Sequence, residues 1–194
     1  MDNIKVSVIV PVYNCSEYIS TTLNSIINQN FDNYEIIVID DGSSDNSLDI
    51  IYETLSQTDI PHKIIHQRNS GVSVARNNGM EMARGQYFVF VDGDDYILTT
   101  HLSELYKNID EFSLVQFVKK DQDKTSNPYF YHQEEMSTEE FIKKELMMEM
   151  PLKLWQVMYK ADIIKNNDLK FTPSVVYGED TEFALKTLSF GDKK

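Results

Sequence analysis

The sequence predicts an α/β fold, a mostly parallel sheet with helices on both faces. Strand-like and helix-like segments alternate four times in the first ~100 residues, the arrangement that builds a parallel sheet through helical crossovers. The strand-like runs are apolar at nearly every position, as strands covered on both faces are. The links between segments are short.

Val6–Val12 is a β-branched apolar run and reads as a buried strand. Residues 16–28 carry Ile19, Leu23, Ile26 and Ile27 at helical spacing, with Ser16 as the N-cap. Residues 34–39 form a second apolar strand ending in Asp40-Asp41-Gly42-Ser43. Residues 44–55 place Leu48, Ile51 and Leu55 on one helical face. His62–His66 is a short third strand, residues 71–83 a helix stopped by Gly85, and residues 87–91 a fourth strand. Beyond it, residues 98–109 read as helix, 114–118 as strand and 119–133 as a polar excursion containing Pro128. A helix starts at Ser137 with Glu140 in the capping-box position. Residues 154–159 read as strand, and 161–166 and 179–189 as helices. There is no internal repeat and no evident domain boundary.

The chain of 194 residues carries 31 acidic and 18 basic side chains, a net charge of -13. Duplex binding needs cations to replace phosphate counterions, so nucleic acid is not the expected partner. The same charge disfavours an anionic membrane as a whole-surface partner; lysine pairs such as Lys119-Lys120 and Lys143-Lys144 leave only local docking at the inner membrane face. Cys15 is the single cysteine, which excludes an intrachain disulfide and a cysteine zinc site and fits a reducing compartment. The first apolar stretch contains Pro11 and turns polar, unlike a signal peptide or a membrane span; the expected location is the cytoplasm.

In open sheets of this kind ligands lie beyond the carboxyl ends of the strands. Two acidic clusters fall there. Asp92-Gly93-Asp94-Asp95 is either a solvated turn or a divalent-cation site, since hard cations take carboxylate oxygens and magnesium uses one or two beside substrate phosphates. Asp40-Asp41-Gly42-Ser43-Ser44 is either a turn in which Ser43 or Ser44 caps the next helix, or a base reader. A carboxylate accepts from the imide N–H of uracil or the N–H edge of guanine, and finds no donor at that place in unprotonated cytosine. The first strand-to-helix link contains no glycine and there is no Walker A sequence, so a metal is the natural counter-charge for a diphosphate at this edge. Arg76, among Val72, Ala75 and Met80, reads by itself as snorkelling to water, with a phosphate or base carbonyl as the alternative. Glu179-Asp180 opens the last helix, where acidic residues suit the helix dipole; the alternative is a general base. His62, His66, His101 and His132 show no metal-type spacing, and no G-x-S-x-G elbow is present.

Taken together, Val8-Ile9-Val10-Pro11-Val12-Tyr13-Asn14, Ile39-Asp40-Asp41-Gly42-Ser43-Ser44-Asp45, Asn69-Ser70-Gly71-Val72-Ser73-Val74-Ala75-Arg76-Asn77, Phe90-Val91-Asp92-Gly93-Asp94-Asp95 and Gly178-Glu179-Asp180 resemble the motifs of family-2 glycosyltransferases with the Rossmann-like GT-A fold. Five motifs in order, from about residue 4 to about residue 190, make the resemblance specific. It implies a single catalytic domain over 1–194, with a nucleotide-binding half at about 1–98 and an acceptor-side half at about 99–194. It implies that Pro11, Tyr13 and Asp41 line the base, with Tyr13 stacking and Asp41 accepting from uracil. Arg76 would face the nucleotide or its diphosphate. Asp92, Gly93 and Asp94 would form the D-x-D element, with Asp94 and Asp95 holding ribose and a manganese or magnesium ion. Asp180 would be the base of an inverting transfer from a UDP-sugar to a glycan, polyol-phosphate or lipid-linked acceptor. Fourteen residues follow Asp180, where family members continue further, so the acceptor side is expected to be incomplete. Trp155, Tyr129, Tyr131 and Tyr177 are candidates for sugar stacking or for the core. The competing classes are a nucleotide-sugar-binding module or fragment without turnover, and a nucleotidyltransferase, which would carry a glycine-rich basic loop that Pro11 to Asn14 lacks.

Overall fold

The computed structural model describes residues 4–107, 115–117, 143, 154–175 and 177–190. Six strands form one sheet. They are β1 (Val6–Val12), β2 (Tyr34–Asp40), β3 (His62–His66), β4 (Tyr87–Phe90), β5 (Val115–Phe117) and β6 (Val157–Lys160). Their spatial order is β3-β2-β1-β4-β6-β5. The first four are parallel, with Val6 opposite Tyr34 and Val12 opposite Asp40; β6 runs antiparallel to β4, and β5 antiparallel to β6. The predicted parallel core is therefore present, with a two-strand antiparallel edge.

Among the described residues, the helices that cover the sheet are α1 (Ile19–Ile27), α2 (Ser47–Leu55), α3 (Val72–Met82), α4 (His101–Tyr106), α5 (Ala161–Asn166) and α6 (Glu179–Ser189). Successive strand residues point to opposite faces, and this sorts the core into two layers. Val6, Val8, Val10, Val12, Ile36 and Val38 pack against Leu23 and Ile26 of α1, Ile51 and Leu55 of α2 and Leu102 of α4. Ile9, Ile37, Ile39, Phe88 and Phe90 pack against Ala75 of α3, Ile164 of α5 and Phe183 of α6. Each such aliphatic or aromatic side chain contributes about 1.5–3 kcal/mol by leaving water.

Several local expectations are corrected. Helix α1 begins at Ile19, not Ser16, and its N-cap position is Tyr18, with no side-chain cap. Ser16 instead donates its N–H to Asp45 Oδ2 at 3.0 Å, which ties it to the loop before α2. Neither Ser43 nor Ser44 caps α2: Ser43 Oγ accepts from Asn14 N–H and Ser44 N–H donates to Asn14 Oδ1. The N-cap position of α2 is Asn46, with no side-chain cap; Asp45, one residue earlier, accepts through Oδ1 from Ser47 N–H at 3.0 Å and from Ser47 Oγ. Gly85 does not stop α3, which ends at Met82 with Ala83 already extended. The glycine is needed for close approach: a Cβ there would lie 2.5 Å from the Ser7 nitrogen of β1. The predicted strand at 154–159 opens as a 3-10 turn, Leu154–Gln156, before β6. Helix α4 is shorter than 98–109, and residues from 108 onward to 114 lie outside the description. The excursion at 119–133 and all of the helix expected from Ser137 except Lys143 also lie outside the described residues.

Candidate functional site

The carboxyl ends of β1, β2 and β4 and the start of α3 enclose a cavity of about 450 Å³. Its lining includes Pro11, Tyr13, Asp41, Asp92, Gly93 and Asp94, six of the sequence-derived candidates. Cys15, Asn69, Gly71, Val72 and Ala75 complete much of the wall. The volume lies in the range of small-molecule sites. Both acidic clusters thus reach one sheet edge, on either side of the end of β1.

Tyr13 leaves β1 with its side chain half exposed, the state of a ring available for stacking. The next residue, Asn14, holds a left-handed φ of 52°, a region asparagine tolerates better than most side chains. Its side chain and N–H bind Ser44 and Ser43, so the β1 exit is tied to the β2 exit.

Asp41 is 3% exposed, and its N–H donates to the Val12 carbonyl at 2.7 Å. Its Oδ1 accepts from Gln67 Nε2 at 2.7 Å and from Ser70 N–H at 2.8 Å, and its Oδ2 from Gly71 N–H at 2.8 Å. Gly71 sits at φ 90°, a conformation that side-chain-bearing residues rarely adopt, at the point where its N–H meets Asp41 and the chain turns into α3. The neighbouring Asp40 is fully buried and bonds His66 Nδ1 at 2.6 Å, so His66 serves the β2–β3 edge as a structural partner.

The Asp92–Asp95 turn is closed by Asp95 N–H donating to the Asp92 carbonyl at 3.0 Å. The buried Thr22 hydroxyl of α1 donates to the Gly93 carbonyl at 3.0 Å. A Cβ on Gly93 would lie 3.1 Å from the Pro11 carbonyl oxygen, so this position holds the acidic turn tightly against β1. Asp92 and Asp94 line the cavity; Asp95 is not among its lining residues. Among the described residues no three His, Cys, Asp or Glu side chains are assembled as a metal-binding group.

Arg76 does not snorkel. It is 2% exposed and is not among the residues that line the cavity. One guanidinium nitrogen donates to Asp180 Oδ1 at 2.7 Å and reaches Glu179 Oε1 at 3.5 Å; the other donates to Asp92 Oδ1 at 2.8 Å. The guanidinium carbon lies 5.2 Å from the Phe171 ring centroid. A single α3 arginine therefore joins the acidic turn after β4 to the first turn of α6. Burial opposes the arginine's charge, but Asp92, Asp180 and Glu179 outweigh it and raise the guanidinium pKa. Burial also raises the Asp180 carboxyl above the ordinary carboxylate range; Arg76 opposes that rise, while Glu179 and Asp92 add to it.

Packing sets the position of Asp180. Phe183, one turn further along α6, stacks on Phe171 with centroids 3.9 Å apart, and both meet Phe90 of β4 edge-on. Asn77 of α3 accepts from Phe171 N–H and donates to the Phe171 carbonyl, both at 2.9 Å. Sequence reading did not single out Phe171, Gln67 or Thr22. Gln67 had a usable signal: it directly follows β3 and so lies at the same sheet edge as Asp41. Tyr177, just before Glu179-Asp180, is 90% exposed; Tyr129, Tyr131 and the Trp155 side chain lie outside the described residues.

The sequence model described as Glycosyl transferase family 2 matches residues 7–162. The chain belongs to this family. The family-2 chain is 31% identical over 194 residues to the uncharacterized glycosyltransferase EpsJ of Bacillus subtilis strain 168, covering 93% of itself and 55% of that protein. It is 31% identical over 196 residues to a poly(ribitol-phosphate) beta-glucosyltransferase of Bacillus spizizenii, covering 93% of itself and 29% of that protein. The crystal structure of residues 1–349 of Staphylococcus aureus TarS in complex with UDP superposes with a TM-score of 0.79 at 30% identity, covering 96% of this chain and 56% of that one. TarS is a poly(ribitol-phosphate) beta-N-acetylglucosaminyltransferase. A Pyrobaculum calidifontis mannosyltransferase in complex with GDP-Man and Mn2+ shares the fold, with a TM-score of 0.73 at 20% identity over 95% of this chain and 52% of that one. The family-2 chain spans about half the length, or less, of these relatives. No helix among its described residues is long and apolar enough to cross a membrane.

Proposed function

We propose that the chain carries the donor site and the catalytic base of an inverting glycosyltransferase that uses a UDP-sugar. The observation that carries this reading is the convergence of Tyr13, Asp41, Asp92 and Asp94 on one cavity, with Asp92 tied through Arg76 to Asp180. The likeness to TarS, solved with UDP and with UDP-GlcNAc, supports uracil as the base.

In this reading Tyr13 and Pro11 pack on the uracil ring, and Asp41 accepts its imide N–H. Asp92 and Gly93 lie beside the ribose and diphosphate. The donor set suits a hard divalent cation, Mn2+ or Mg2+: Asp94 supplies carboxylate oxygens from the cavity wall, and the remaining positions suit phosphate and water oxygens. Of the two metal candidates, Asp94 is favoured over Asp95, because Asp95 is not among the residues that line the cavity. When bound, the cation would supply charge stabilisation for the leaving diphosphate.

Asp180 takes the proton of an acceptor hydroxyl while that oxygen attacks the anomeric carbon. The new C–O bond forms as the bond from carbon to the diphosphate oxygen breaks, and the electron pair leaves with the diphosphate. Attack opposite the leaving group inverts the centre. Burial helps Asp180 by raising its proton affinity toward working pH. The acceptor class is the hydroxyl of a surface glycan or polyol-phosphate polymer, as the names of the poly(ribitol-phosphate) relatives suggest, and the proposed site of action is the cytoplasm or the inner membrane face.

Calorimetric titration of the chain with UDP in the presence of Mn2+ tests the reading. Saturable binding that Asp180→Asn preserves, together with sugar transfer that Asp180→Asn abolishes, is the expected result. Absence of UDP binding refutes it. Binding without any transfer from the full-length protein would make the domain a nucleotide-sugar-binding module.

A further inference from the structure

Asp41 is held by more than its own strand. Gln67 Nε2 donates to Asp41 Oδ1 at 2.7 Å, and Asn78 Nδ2 of α3 donates to Gln67 Oε1 at 2.6 Å. The carboxylate at the end of this chain sets its direction. A carboxylate only accepts, so Gln67 must turn its amide nitrogen toward Asp41 and its oxygen toward Asn78, which must then donate. Neither amide can flip without placing two acceptors face to face.

The chain also determines how many places on Asp41 remain open. A carboxylate offers about two acceptor sites per oxygen. Among the described residues, Oδ1 receives two donors, Gln67 Nε2 and Ser70 N–H, while Oδ2 receives one, Gly71 N–H. Oδ1 is filled; Oδ2 keeps one acceptor site. Asp41 lines the cavity beside Pro11 and Tyr13, so a base that reaches Asp41 has one acceptor site to use.

We propose that Gln67, oriented by Asn78, is a specificity-determining residue that makes Asp41 a one-point acceptor. This rests on the reading of the cavity as a nucleotide site. Uracil presents a single imide N–H between two carbonyls, which a one-point acceptor satisfies. Guanine presents N1–H and the exocyclic N–H side by side, and pairs well with a carboxylate only when both oxygens are open. With Oδ1 filled, one guanine donor is left without a partner, and an unpaired buried donor is penalised. Gln67 and Asn78 touch no substrate in this scheme; they act through Asp41.

The test is calorimetric affinity for UDP and for GDP, each with Mn2+, on the wild-type chain, Gln67→Leu and Asn78→Leu. The wild type is expected to prefer UDP by at least about tenfold, one charged hydrogen bond's worth. Gln67→Leu opens Oδ1 and brings the ratio toward parity, largely through a gain in GDP affinity. Asn78→Leu removes the donor that anchors Gln67 Oε1, frees the Gln67 side chain to swing away from Asp41, and shifts the ratio the same way by less. A purely structural role would weaken both nucleotides together and leave the ratio unchanged, which overturns the proposal, as does a wild type indifferent to the base. Should the wild type bind neither nucleotide, the donor-site reading falls and this inference with it; UDP binding with an unmoved ratio sinks this inference alone.

Discussion

Arg76 and Asp180 lie 104 positions apart in the chain and meet at 2.7 Å, with the same guanidinium also holding Asp92. The acidic turn after β4 and the first turn of α6 are therefore one electrostatic unit. Three carboxylates surround one cation, and their negative charge raises the guanidinium pKa above its ordinary value in a nearly solvent-free position. The unit has consequences for stability and for pH dependence.

Removing the cation leaves Asp92, Glu179 and Asp180 facing one another. Arg76→Met is expected to lower stability by less than the about 3–5 kcal/mol of a fully buried pair, because the side chains of Asp92 and Asp180 stay 37% and 32% exposed and water screens the charges left behind. Urea denaturation followed by circular dichroism measures it. Arg76→Lys keeps the charge but loses the fork that reaches Asp92 and Asp180 together, and should fall between the two.

Asp180 must be ionised to accept a proton, and its carboxyl is raised by burial against the pull of Arg76. In the proposed role of Asp180, transfer is therefore expected to be absent below this raised pKa and to grow as pH rises through it. The acid limb of the rate profile should lie above the ordinary carboxylate range. Asp180→Asn should lower transfer by roughly 10²–10⁴-fold at every pH while leaving UDP affinity in place. A limb at the usual carboxylate position would argue against Asp180 as the base.

Asp45 works in the opposite direction. Although its slight burial opposes ionisation, hydrogen bonds from Ser47 and Ser16 hold it down from 3.8 to about 2. Its folded pKa is depressed, so its contribution is present above 3.8 and is lost as pH falls toward about 2. Asp45→Asn should flatten that part of the acid-unfolding curve and lower stability at neutral pH, where the wild type has the full contribution.

Gly79 of α3 lies so close to β1 that a Cβ would stand 2.4 Å from Ile9 Cγ2. Ile9 is fully buried and has nowhere to retreat. Gly79→Ala should cost about 1–3 kcal/mol through overpacking, more than the helix-propensity gain of under about 1 kcal/mol. Thermal unfolding checks the sign.

Metal dependence separates Asp94 from its neighbours. UDP affinity of the wild type should fall by roughly tenfold or more when EDTA removes Mn2+. Asp94→Ala should bind UDP weakly with or without the ion, whereas a variant that retains the wild-type response would move the ligand to another carboxylate.

The first half of the fold was legible because its strands are mostly apolar and its helices keep regular spacing. The motifs at Asp41 and Asp92–Asp95 were legible because parallel topology puts strand ends together. Arg76 was misread locally, since a helical pattern shows which residues neighbour it on α3 but not that Asp180 arrives from over a hundred residues later. Gln67 and Asn78 were passed over for a related reason: amides carry no charge signature, and their meaning appears only once Asp41 is seen to be the acceptor. Helix starts failed where side chains that usually cap, Ser16, Ser43 and Ser44, were recruited to bind loops from elsewhere.

The strand order has a consequence for how the chain is made. β4 borders β6, and β6 is what joins β5 to the sheet. As the polypeptide leaves the ribosome, β1 to β4 can assemble in order, but one flank of β4 stays open until Val157–Lys160 has been synthesised. At about 5–20 residues per second that interval lasts several seconds. Over that time the apolar edge Tyr87–Phe90 offers unpaired backbone to other strands, so slower translation between β4 and β6 is expected to lower the yield of folded protein.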